Sequence, residues 1–146
     1  MIKRYARGIV RDWDRFLVVF NKKRLRYEFP GGKCDEGETY RTSIYRELKE
    51  EIGIDAIELE LFRELNLTIH GTWKGEEDEG FSDWHGQFFL VTKWIGIPHI
   101  PESEAHKLGD LRWVTTKELV KLPQIPLVTV ELARDAFAQA LNYDGP

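Results

Sequence analysis

A chain of 146 residues with 42% hydrophobic and 32% charged content is long enough to bury one sizeable core, and residues 1–146 are expected to form a single domain. A net charge of -4 excludes the dominant basic surface of a general nucleic-acid binder, so no stable nucleic-acid partner is expected. The lone Cys34 excludes an internal disulfide, and no apolar run approaches the length of a membrane span.

The opening MIKRYARGIV has only a short apolar run before Arg11, too short for a signal peptide, which points to a cytoplasmic location. Residues 2 to 10 and 16 to 21 read as strands joined by a turn over Asp12 to Arg15. Asn21 to Arg26 then gathers Lys22, Lys23, Arg24 and Arg26, either a solvated turn or a rim of cations for the outer phosphates of a substrate. Pro30, Gly31 and Gly32 predict a tight loop with an exposed carbonyl that can ligate a metal.

A helix follows, with Thr39 as its N-cap and Ile44, Leu48 and Ile52 as its apolar stripe. Gly53 stands where a left-handed residue ends a helix. Beside the stripe, Glu47, Glu50 and Glu51 fall at i, i+3 and i+4 and so share one face. Like charges at that spacing repel by roughly 0.2–0.5 kcal/mol a pair, a penalty that a divalent cation removes. Oxygen donors with no His or Cys at ligand spacing suit a hard cation, magnesium first and manganese as its substitute.

From Ile57 to Ile69 the odd positions are mostly apolar, a period-2 strand with a break expected near Arg63. An acidic loop, Gly71 to Asp83, carries Glu76, Glu77, Asp78 and Glu79 and reads as solvated surface. Trp84 to Ile95 reads as a central strand, ended by Pro98 and Pro101. Glu102 and Glu104 lie in the loop before a last strand at Leu111 to Val114. Thr116 is expected to cap a short helix to Val120, and Pro126 to open a longer one reaching about Leu141. The order of strands and helices predicts a mixed α/β fold.

Counted from Gly32, the residues Glu38, Arg46, Glu47, Leu48, Glu50, Glu51, Gly53 and Ile54 stand at the spacing of the Nudix box, and the chain resembles that family of hydrolases. The resemblance implies an α/β/α sandwich with a curved mixed sheet between helices. It implies that Glu50 and Glu51 ligate a metal with the Gly31 carbonyl, that Glu47 ligates or acts as general base, and that Arg46 pairs with Glu38. Some members take a catalytic or metal-binding glutamate from a later loop, and Glu104, then Glu102, is the best-placed candidate for it; the other reading of Glu104 is an exposed loop charge. Glu28 to Lys33 reads EFPGGK, similar to the MutT-type nucleoside triphosphatases, some of which read the base with an amide just before the terminal helix. Gln124 holds a comparable position, with Phe88, Trp73 or Trp84 to stack on the base and Lys22 and Lys33 to meet phosphates. His70 and His85 read as surface or packing residues.

The resulting expectation is magnesium-dependent hydrolysis of a nucleoside triphosphate to monophosphate and pyrophosphate. Residues 67 to 72 contain neither the proline of ADP-ribose enzymes nor the tyrosine of many dinucleoside polyphosphate enzymes, which favours triphosphates over those substrates or a nucleotide sugar. A nucleotide-sensing module is the alternative from another class, and a homodimer is common among such relatives.

Overall fold

The computed structural model describes residues 2–70 and 81–143. The chain runs β1 (Ile2–Asp12), β2 (Arg15–Asn21), β3 (Arg26–Glu28), β4 (Gly31–Lys33), α1 (Tyr40–Ile52), β5 (Asp55–His70), β6 (Phe81–Ile95), β7 (Leu108–Val114), α2 (Thr116–Leu119) and α3 (Leu127–Tyr143), with a 3-10 turn at Glu102–Glu104. The strands form one mixed sheet in the order β3-β2-β1-β6-β5, with β4 added on β1 and β7 on β2. Only the β1–β6 pairing is parallel among those described, running from Ile2↔Asp83 to Val10↔Val91. No helix among the described residues is long and apolar enough to cross a membrane.

Both faces of the sheet are covered, which explains why β2 reads as an unbroken apolar run. Leu17 and Val19 face one core with Ile44, Leu48 and Ile52 of α1, while Phe16 and Val18 face the other with Val130, Leu132, Ala133 and Ala136 of α3. In β6, Phe89 and Val91 join the α1 side, and Phe88 and Leu90 the α3 side. The α/β/α sandwich expected from the sequence is therefore present.

Helix α1 has the expected ends. Thr39 accepts from the backbone of Thr42, and Gly53 closes the helix at a φ of 70° while its N–H reaches the carbonyls of Leu48 and Lys49. Other boundaries differ. The stretch at Gly31 and Gly32 is not a free loop, because Gly31–Lys33 pairs antiparallel with Arg7, Ala6 and Tyr5. The short helix α2 is capped by Thr115 rather than Thr116, since Glu118 three residues later completes a reciprocal capping box with Thr115. Strand β7 starts at Leu108, and β6 at Phe81.

Strand β5 is not interrupted at Arg63, but its register against β6 shifts between Leu61 and Arg63 as well as near Glu58. An irregularity of this kind turns the side chains that follow. Leu59 accordingly packs on the α1 side and Phe62 and Leu65 on the α3 side, while Leu61 is exposed. The irregularity between Leu61 and Arg63 lies where the sequence predicts a break, as a register shift within a continuous strand.

Leu48 is fully buried where α1 meets the sheet. Leu48→Ala should lower unfolding free energy by about 3 kcal/mol through lost contacts and a cavity. Urea unfolding followed by circular dichroism measures this directly; a loss under about 1 kcal/mol would mean that α1 packs less tightly than described.

Candidate active site

The carboxylates of α1 are organised by one guanidinium. Arg46 Nε and Nη2 donate to the two oxygens of Glu38, each at 2.8 Å, a bidentate pair. Its Nη1 lies 3.0 Å from Glu50 Oε2 and 3.1 Å from Glu47 Oε1, and Nη2 reaches the Lys33 carbonyl at 3.4 Å. Glu38 also accepts from the Asp35 backbone at 2.7 Å. The Arg46 hydrogen bonds, aided by that backbone donor, hold its carboxyl down at about 2, while the pairing raises Arg46 further.

Glu47 and Glu51 are buried, at 8% and 7% exposure, and Glu50 is exposed. Glu51 Oε1 accepts from the Gly31 N–H at 2.8 Å. Gly31 has a φ of 144°, and a Cβ there would stand 2.2 Å from the Ala6 carbonyl, so β4 can lie this close to β1 only with glycine. At Gly32 a Cβ would come within 2.9 Å of the Glu47 carboxylate. Burial pushes the Glu47 carboxyl up, with Arg46 opposing and Glu50 reinforcing the shift. Burial pushes Glu51 up to about 7 against the pull of the Gly31 N–H and Arg7.

Two buried carboxylates with raised proton affinity are an electrostatic cost that a cation offsets, and the oxygen donors suit a hard one. The residues therefore fit a divalent metal in chemistry. In this state the donors have not closed on a common point: Glu50 is engaged by Arg46, and no three His, Cys, Asp or Glu side chains among the described residues enclose an ion site.

A cavity of about 540 Å³ opens beside Glu47 and Glu51, within the size range of small-ligand sites. Six cationic side chains reach it, Lys3, Arg7, Arg24, Arg26, Lys33 and Lys107, against three carboxylates, Glu28, Glu47 and Glu51. Cations therefore predominate in this cavity although the chain as a whole is acidic. Buried Glu28 gathers the guanidiniums, with Arg24 Nη1 at 2.7 Å, Arg26 Nε at 3.4 Å and Arg7 Nη1 at 3.6 Å. Burial alone would raise the Glu28 carboxyl, but these three arginines and a hydrogen bond from Asn21 bring it below its ordinary value. An aromatic wall faces this cluster. Tyr5 lies 6.0 Å from Trp84 and 5.9 Å from Phe88, and Lys3 Nζ sits 5.3 Å from the Trp84 ring.

Of the residues singled out from sequence, Gly31, Gly32, Glu47, Glu51, Lys33, Trp84 and Phe88 meet in this cavity, together with Arg24 and Arg26 of the cationic run. Gln124 does not line it: the residue is exposed, at a φ of 54°, in the turn before α3. Lys22 is also turned away, because its Nζ donates to the Ala105 carbonyl at 2.6 Å. Glu104 is outside the lining and pairs at 3.1 Å with Lys107, which is inside it. His85 pairs through Nδ1 with the Tyr40 hydroxyl at 2.5 Å, and Cys34 is buried in the α1-side core. Trp73, Glu76 to Glu79 and the side chain of His70 lie outside the described residues.

Arg7, Glu28 and Lys107 were not singled out as site residues. Arg7 carried a signal, a charge in the alternation of a strand otherwise flanked by Ala6, Gly8 and Ile9. Lys107 carried none.

A NUDIX domain family model matches residues 2–135, and the chain belongs to the Nudix family. It is a hydrolase of the pyrophosphohydrolase kind, in a family that generally uses a divalent metal and small nucleotide substrates. Among its relatives, the 8-oxo-dGTP diphosphatase of Haemophilus influenzae is 36% identical over 106 residues, covering 68% of this chain and 69% of that protein. The RNA pyrophosphohydrolase of Helicobacter pylori 26695 is 29% identical over 144 residues, covering 90% and 84%. In fold, the crystal structure of a MutT NUDIX hydrolase from Burkholderia pseudomallei superposes with a TM-score of 0.72 at 21% identity, covering 92% of this chain and 97% of that one.

The raised Glu51 carboxyl has a measurable consequence in metal-free protein. The folded chain binds this proton more tightly than the unfolded chain, so stability falls as pH rises from 4.5 to about 7. Glu38 acts oppositely, contributing stability above pH 4.5 that is lost as pH falls towards 2. Glu51→Gln, which keeps an acceptor for the Gly31 N–H, should remove the larger part of the neutral-side decline, leaving the part due to Glu47, and stabilise the metal-free chain by about 2 kcal/mol on the alkaline side of that window. Urea unfolding across pH in a chelator tests this; parallel curves for variant and parent would refute it.

Proposed function

We propose that this chain hydrolyses nucleoside triphosphates to a monophosphate and pyrophosphate, using a divalent cation held by Glu50, Glu51 and the Gly31 carbonyl, with Glu47 as the general base. The observation that carries the reading is the meeting, in one cavity, of a buried carboxylate pair with a surplus of cationic side chains. Magnesium fits the oxygen donors best, with manganese as substitute. Bound there, the ion supplies charge neutralisation on the polyphosphate and acidifies a water.

The chain's own residues do the rest. Arg46 holds Glu47 and Glu50 side by side on α1 and offsets their repulsion until a cation takes up that role. Hydrolysis adds one water across a phosphoanhydride: one P–O bond forms, one breaks, and a proton must leave the water. Glu47, whose burial raises its proton affinity, is the acceptor in this reading. Arg7, Arg24, Arg26 and Lys33 face the phosphates, and Tyr5, Trp84 and Phe88 provide the surface against which a base stacks.

Among the described residues, neither Gln124 nor Asn21 offers its amide to the edge of a base, so the aromatic face carries the binding in this reading. Gln124 is outside the cavity, and the Asn21 amide is already committed, Nδ2 to Glu28 and Oδ1 to the backbone N–H groups of Lys23 and Arg24. This favours tolerance of several bases. It also gives weight to a second reading, in which the phosphoanhydride is carried by an RNA, the substrate class named for the Helicobacter pylori relative.

A panel of ordinary and oxidised nucleoside triphosphates, ADP-ribose, a dinucleoside polyphosphate and 5′-triphosphorylated RNA, each with magnesium or manganese, tests the assignment. Pyrophosphate release from several triphosphates is expected, and no release from any member would refute catalysis. Glu50→Gln should lower kcat roughly 100-fold without changing the unfolding midpoint. Gln124→Ala should leave kcat/KM within about 2-fold, whereas Trp84→Ala should raise KM roughly 10-fold through lost stacking. The opposite ranking of those two variants would restore edge recognition by Gln124.

A further inference from the structure

The loop between β6 and β7 is tied down at several points. Glu104 N–H donates to the Pro101 carbonyl at 2.9 Å, and Lys107 N–H to the Glu104 carbonyl at 3.1 Å. Just past β2, the Lys22 backbone N–H donates to the Lys107 carbonyl at 2.9 Å, and the Lys22 ammonium to the Ala105 carbonyl at 2.6 Å. Lys22 is thus a staple for the loop. The loop ends on Lys107, whose side chain enters the cavity wall while its Nζ lies 3.1 Å from Glu104 Oε1. Only 12% of the Glu104 side chain is exposed, against 46% of the Lys107 side chain.

We propose that Lys107 is a phosphate-binding residue of this cavity and that Glu104 is its positioning residue rather than a general base; this rests on the polyphosphate reading of the site. A free lysine has a long, rotatable stem and loses considerable freedom when it is held in one place. A carboxylate anchored in a tied-down loop has already restricted it. One oxygen of Glu104 occupies only part of an ammonium with three donors, so Lys107 keeps N–H groups for an anion. The Lys107 charge acts on both Glu47 and Glu51, which puts it at the boundary between the carboxylate pair and the cationic half of the cavity. Glu104 lies outside that lining, and its Oε1 is engaged by Lys107.

The two roles separate in a double-mutant cycle on the full chain, with inorganic tripolyphosphate as the binding probe and the best-hydrolysed triphosphate as the kinetic one. Lys107→Met should weaken tripolyphosphate binding and raise KM about 10-fold while kcat stays within about 3-fold, and Lys107→Arg should recover most of the loss. Glu104→Gln should move the same parameters by about 3-fold, and should do nothing further in the Lys107→Met background. The proposal is overturned if Glu104→Gln lowers kcat roughly 100-fold at unchanged KM, with loss of the acidic limb of the pH profile, whichever residue stands at 107. It is equally overturned if Lys107→Met binds tripolyphosphate as the parent does, or if the parent binds none. Lys107-dependent binding without hydrolysis of any nucleotide would instead sink the proposed reaction and leave this site standing. Thermal unfolding of each variant separates a binding loss from a folding loss.

Discussion

Arg46 is the constraint on which the acidic side of the site depends. Glu38, Glu47 and Glu50 each lie within about 3 Å of its guanidinium, two of them on the same helix as the arginine itself. Without a cation at that point, α1 would present like charges at the closest spacing a helix offers. A lysine could neutralise one of them but could not span all three, because an ammonium lacks the planar fork. The same fork touches the Lys33 carbonyl, so it also ties the helix to β4. Strand β4 in turn presents the Gly31 N–H to Glu51. Helix, strand and carboxylates are therefore one bonded unit.

A second constraint comes from the double-sided sheet. In β1, Ala6 and Val10 face the α1 core and Ile9 the α3 core, so successive residues serve different layers. Tyr5 packs against the α3 core and Arg7 reaches the cavity wall. One strand thus carries a core position, an aromatic wall and a guanidinium within three residues. The close approach of β4 to this strand, permitted at Gly31 by the missing Cβ, brings Glu47 and Glu51 to the same edge.

What could be read from the chain was mostly what local spacing encodes. The glutamates, the apolar stripe, Thr39 and Gly53 all lie within one helix and its caps, where sequence separation dictates which side chains are neighbours. Pairings between distant segments were not legible. Lys22 is joined to Ala105 across 83 positions, and its charge run reads equally well as a solvated turn or a phosphate rim until that partner is known. Gln124 has a suitable place in the chain order, yet its left-handed backbone and exposed position leave it off the cavity lining. Of the register shifts of β5, the one between Leu61 and Arg63 lies where a break was expected, whereas those near Glu58 left the apolar alternation intact and so gave no signal. At the neighbouring threonines 115 and 116, the choice of cap turned on the reciprocal bond with Glu118, a distinction of one position.

The bonded unit of Arg46, α1 and β4 comes from a contiguous stretch, whereas the cavity it borders is assembled from scattered ones: the start of β1, the β2–β3 turn, Trp84 and Phe88, Lys107, and the beginning of α3. The two parts are consequently inherited under different rules. A change at Trp84, Lys107 or Val128 alters the surroundings of a guest molecule while leaving every bond of Arg46 in place. The Arg46 cluster, by contrast, has three carboxylates sharing one partner, two of them on α1, so a change at any of them disturbs the others. A lineage built on this scaffold can drift through many guests by single substitutions while its acidic helix stays nearly fixed.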